Sequence, residues 1–192
     1  MNPLKILSEK EKLEIKEKLN GQFGITEIPG KIFMRGEERL FLYSGNLGDE
    51  QIRTLEKIAF LERVGSYLGK IEESGIRLSI EGAQILGNQI TKNIFEIPSE
   101  LVEEWMKGHE LLIEDIERLK HKNETNDSNL TLSGQLINSV GVGGRGVGGG
   151  IEKPSGFVVI KYKSDFLGTG KASENKISNF IPKNRRLREK SN

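Results

Sequence analysis

The stretch GIRLSIEGAQILG, Gly75 to Gly87, changes its periodicity halfway along. Ile76, Leu78 and Ile80 alternate with Arg77, Ser79 and Glu81, a period of two that gives a strand one buried and one wet face, with Arg77 on the wet side. EGAQILG then reads as a brief helical turn closed by Gly87. Immediately upstream, GSYLGKIEE supplies another short strand, turned back at Glu73-Ser74-Gly75. A new texture therefore begins near Gly65.

Downstream, NIFEI reads as a strand and PSELVEEWMKG as a helix. Pro98 and Ser99 start that helix, Leu101, Val102 and Trp105 form its apolar side, and Gly108 ends it. ELLIEDIERL and two glycine-containing segments of FVVIKYKSDFLGTGKASENKISNF are expected to complete a mostly β region. Between them, about residues 119–153, lies a polar and then glycine-rich stretch expected to be a flexible insertion. Gly141, Gly143 and Gly146 spell a dinucleotide fingerprint. That motif needs a strand before it and a helix after it, whereas more glycine and then Pro154 follow here, so a linker is the better reading.

Upstream of Gly65 the pattern is different. SEKEKLEIKEKL puts Leu13, Ile15 and Leu19 among lysines and glutamates, and Ser8 with Glu11 makes a capping box. KIFMRG and RLFLYSG read as a hairpin across RGEE, and DEQIRTLEKIAFLERV as a second helix. Residues 1–63 are thus expected to form an αββα unit, whose first helix mixes both charges and is unsuited to RNA by itself.

The chain has 192 residues, 29 Lys plus Arg against 28 Asp plus Glu, and no cysteine. A net charge of +1 attracts no polyanion, so any such affinity has to come from local clustering. The missing cysteines remove thiolate metal sites and thiol nucleophiles. His109 and His121 support neither a metal site nor a Ser-His-Asp triad. Glu103 and Glu104 diverge by about 100° on a helix and do not converge on one bond. No cofactor, metal or catalytic residue is expected. Neither a signal peptide nor a membrane span is legible, which suggests a cytoplasmic protein with no membrane partner.

Together, GIRLSIEGAQILG and FLGTGKASENKISNFIPKNRRL resemble the PUA domain, the small pseudo-barrel of pseudouridine synthases and archaeosine transglycosylases. Gly82-Ala83 stands at the family's helical turn, and Leu167 to Lys171 at its late strand. With GSYLGKIEE, the ending NFIPKNRRLR and an upstream LNGQFGI, the chain is similar to archaeal ribosome-biogenesis proteins. These are related to the RNA-binding accessory part of Sun/Fmu-type RNA cytosine methyltransferases.

The resemblance implies an α+β fold, an αββα pre-PUA unit at 1–63 followed by a PUA-like β pseudo-barrel at 64–192. It implies a non-catalytic RNA-binding protein that assists rRNA or tRNA modification or ribosome maturation. The alternative is an adaptor that docks an RNA methyltransferase or ribosomal factor. Its implied RNA surface comprises Gly82, Ala83 and Gln84 in the turn, with Gly168, Gly170 and Lys171 in the late strand. Arg77 lies beside them, and Lys183, Arg185, Arg186 and Arg188 extend the surface. Glycines let an RNA backbone approach, and Lys and Arg neutralise phosphates. Leu187 is expected to pack back and present the arginines. Gly82 and Gly168 could equally serve only turns and packing.

Overall fold

The computed structural model describes residues 4–59, 61, 63–128 and 156–188. Two five-stranded sheets organise them. The first has the order β1-β2-β3-β4-β5 and is antiparallel throughout: β1 (Leu4–Ile6), β2 (Lys31–Arg35), β3 (Arg39–Tyr43), β4 (Ser66–Glu72) and β5 (Gly75–Leu78). The second has the order β6-β8-β9-β10-β7, formed by β6 (Ile94–Glu96), β7 (Leu111–Leu112), β8 (Gly156–Tyr162), β9 (Asp165–Ala172) and β10 (Lys176–Asn179). Among the described residues, only β6 and β8 pair in parallel. The protein is therefore a mixture of helices and sheets, as expected. β4 and β5, which follow residue 63, complete the same sheet as β1–β3.

Helix α1 (Glu9–Phe23) begins at the expected capping box: Glu11 accepts from the Ser8 backbone N–H at 2.9 Å, and Ser8 Oγ accepts from the Glu11 N–H at 3.4 Å. Its Ile15, Leu19 and Phe23 meet Ile32, Leu40, Leu42, Leu68, Ile76 and Leu78 of the first sheet and Phe157 and Val159 of the second. The two sheets thus share a core. Helix α2 (Asp49–Ile58) covers the other face of the first sheet, where Ile52 packs with Leu4, Phe33 and Phe41. It stops at Ile58, shorter than its charge and apolar pattern suggests. Helix α4 (Ser99–Lys107) lies on the outer face of the second sheet and ends at Gly108 in the left-handed conformation, as read. Trp105 is fully buried there, and its Nε1 donates to the Leu167 carbonyl at 2.9 Å.

Three local expectations change. Leu4–Ile6 forms an edge strand ahead of α1 that the sequence reading lacked. ELLIEDIERL is not a strand: Leu111–Leu112 pairs briefly with β10, then α5 (Ile113–Ser128) begins, with Glu114 and Asp115 in its first turn and Ile116 buried. Carboxylates at a helix N-terminus complement its dipole, which favours that start. Residues 119–128 of the expected flexible insertion are accordingly helical, and its remainder, 129–153, lies outside the described residues, as does the glycine fingerprint. No helix among the described residues is long and apolar enough to cross a membrane.

Candidate nucleic-acid interface

Between the two sheets sits α3 (Ile80–Ile85), the helical turn of the opening stretch. Ser79 sets it: its Oγ accepts from the Gly82 N–H at 2.8 Å and donates to the Tyr67 carbonyl at 2.5 Å, tying the helix start to β4. A cleft of about 740 Å³ opens at this junction. The end of β2, strands β3–β5, the start of α3, Gly168 and Thr169 of β9, and the closing segment Phe180–Arg185 enclose it. Six cationic side chains, Arg35, Arg39, Arg63, Lys70, Arg77 and Arg185, line it against two carboxylates, Glu38 and Glu81, which leaves four positive charges. A chain almost neutral overall thus concentrates positive charge in one concavity, where low-dielectric walls focus the field.

Strand register explains how the cations gather. Arg35 is directly opposite Arg39, Arg39 opposite Lys70, and Lys70 opposite Arg77, a single row across β2, β3, β4 and β5. A bulge in the β3–β4 ladder places Leu68 as an extra residue between Gly69, opposite Leu40, and Tyr67, opposite Phe41. Regular alternation would put Tyr67 and Lys70 on opposite faces. The bulge lets both share the cleft face while Leu68 turns into the core. Tyr67 and Phe41 are tilted against one another with centroids 5.5 Å apart, and burial pushes the Tyr67 hydroxyl pKa up. Lys70 pairs with Glu38 at 3.0 Å, and Arg77 Nε with Glu72 at 2.9 Å. Arg35 Nη1 donates to the Leu61 carbonyl at 3.0 Å. At the base, Thr169 is buried, and its Oγ1 has no hydrogen-bond partner among the described residues.

The structure gathers only part of the sequence-derived surface. Arg77, Gly168 and Arg185 line the cleft, Gly168 with φ at 90°, a conformation that suits glycine. Arg185 is ion-paired with Glu81 of α3. Lys171 lies outside the cleft but joins its wall through a ladder of rings. Its Nζ is 5.8 Å from the centre of Phe157, Phe157 meets Phe180 edge-on at 6.0 Å, and the Arg77 guanidinium lies 4.6 Å over Phe180.

Gly82 and Ala83 are buried, and a Cβ on Gly82 would collide with the Leu68 carbonyl, so the packing reading describes that glycine. Gly170 is likewise buried, against Ile177 and Trp105. Gln84 is exposed beside the Phe166 carbonyl, and Lys183 and Arg188 are exposed on the closing segment away from the cleft lining. Arg186 turns back into the protein: its Nε donates to the Ile181 carbonyl at 2.9 Å and its guanidinium covers Gly108. Leu187, expected to anchor this segment, is instead 51% exposed, and the anchor is Arg186 together with a Leu187 N–H to Met106 carbonyl bond of 3.0 Å. The sequence reading missed Arg35, Arg39, Arg63, Lys70 and Tyr67.

Residues 145–187 match the family model described as the methyltransferase RsmF PUA domain. Over this segment the chain is similar to a PUA domain. The similarity is thus to a domain described from a methyltransferase, and it is confined to that segment. No curated protein matches the chain. Within the described residues, the matched part of the PUA domain comprises β8, β9, β10 and the segment through Leu187. It therefore contributes Gly168, Thr169 and the Phe180–Arg185 wall of the cleft, while β3, β4 and β5 contribute the facing wall from outside the match.

Proposed function

We propose that this protein binds RNA in the cleft and assists modification of rRNA or tRNA, or ribosome maturation, with the chemistry supplied by another protein. The observation that carries the reading is the charge excess of the cleft, built on both sheets and bordered by the matched domain. Arginine forks suit phosphate oxygens, and half-buried rings beside them suit bases.

The test is binding of the full chain to rRNA and tRNA transcripts across a salt series. Affinity should fall linearly on logarithmic axes, and Arg77→Ala and Arg185→Ala should each reduce the slope by somewhat under about one. Salt-independent binding, or none, would contradict the reading. Incubation of the pure chain with a methyl donor and unmodified rRNA should give no methylated product; incorporation would make it an enzyme.

A further inference from the structure

Four cations at directly opposed positions on four adjacent strands are a poor choice for sheet stability, because like charges facing each other across a ladder repel. Their strands sit about 4.8 Å apart, so the three intervals span roughly 14 Å. That is a line of charge about two or three nucleotides long, set across the sheet rather than along one strand. Alongside it, on the same face, the bulge holds Tyr67, and Phe41 backs that ring from below.

We propose that this cleft takes a single-stranded RNA segment, its phosphates along the row Arg35–Arg39–Lys70–Arg77 and an unstacked base against Tyr67. The proposal rests on the RNA-binding reading and deepens it by naming the form of RNA bound and the wall that holds it. A cationic groove beside an aromatic face is the arrangement that holds single strands, since every base has a π-face and the backbone tracks the charge. Paired RNA hides its base faces in the stack and presents phosphates on a broad convex surface, so it cannot lay a base face on Tyr67 in the wall of a cleft of this size. Most of the contact would come from β2–β5, a wall outside the matched segment.

Anisotropy titrations of the full chain would use a short unstructured RNA and a blunt hairpin of equal length, each across a salt series. The single strand should bind at least about tenfold tighter, the scale of one base stack. The double variant Arg39→Gln, Lys70→Gln should reduce the single-strand slope by about 1.4, at roughly 0.7 per phosphate. Tyr67→Leu should weaken binding on the order of tenfold with an unchanged slope, because stacking displaces no counterions. Circular dichroism checks the fold, and at low salt the double variant should melt close to the parent, since relief of repulsion along the row offsets loss of the partly exposed Lys70–Glu38 pair.

Equal or tighter binding of the hairpin would overturn the proposal while leaving RNA binding intact. So would an unchanged slope in a folded double variant, or a double variant that melts well below its parent. Failure of the parent chain to bind any RNA would overturn the proposal and the proposed function together.

Discussion

The Arg186 guanidinium lies across Gly108 and donates to the Ile181 carbonyl, whereas the neighbouring Arg185 lines the cleft and is ion-paired with Glu81. Alanine at the two positions should separate cleanly. Arg186→Ala removes a charge-assisted bond from a half-buried carbonyl and uncovers α4's end, so it should lower unfolding free energy by about 1–2 kcal/mol, read by urea denaturation. Arg185→Ala breaks an exposed ion pair and should cost about 0.5 kcal/mol or less while reducing the salt slope of RNA binding. The adjacent arginines look alike in sequence because only the fold shows which one has a carbonyl to meet.

Gly82 is another position where substitution is informative: Gly82→Ala forces a methyl against the Leu68 carbonyl and should cost about 1–3 kcal/mol, measured the same way. Thr169→Val should be neutral or stabilising in the free protein, because it replaces a buried hydroxyl that has no partner among the described residues.

At the scale of elements, α1 carries the feature most readable in sequence. The capping box forms because Ser8 and Glu11 are three residues apart, a local relation that folding only realises. Ser8→Ala should cost about 1 kcal/mol. Glu11's hydrogen bond with the Lys5 ammonium, followed by those from Ser8, holds its carboxyl at about 2 against an ordinary 4.5. A folded-state pKa below the unfolded one contributes stability above the unfolded value and loses it as pH falls. The coupling between Ser8 and Glu11 in a double-mutant cycle should therefore be present above about pH 4.5 and fade towards pH 2. Constant coupling across that range would contradict this assignment.

The hairpin β2–β3 and helix α4 were legible for the same local reason, from the short RGEE turn and from Pro98 and Gly108 at the helix ends. β1 and α5 were not. Three residues offer too short a pattern for a strand, and Leu111-Leu112-Ile113 begins as an apolar run that fits strand and helix alike. The cationic row was invisible for a stronger reason. Arg35 and Arg39 are separated from Lys70 and Arg77 by a whole helix, and only the pairing of β3 with β4 lines them up. Alternation at Ile76, Leu78 and Ile80 says that one face is buried but not which strand lies alongside. Part of the candidate site could be read in the closing segment, where Arg185 stands in a visible basic cluster; the facing wall depends on register.

For the molecule as a whole, the near balance of 29 basic and 28 acidic residues leaves long-range attraction to a polyanion weak, so the proposed RNA binding rests on the cleft. Both sheets contribute to it through a shared core, so a fragment holding only the matched residues 145–187 would lose β3–β5 and most of the cations. The most direct measurement is photo-crosslinking of the full chain to RNA carrying 4-thiouridine, with the crosslinked peptides identified by mass spectrometry. The account predicts adducts within residues 35–41, 63–81 and 180–185, the three segments that meet at the cleft. Adducts confined to the outer faces of α1, α4 or α5, with the cleft segments unlabelled, would contradict it.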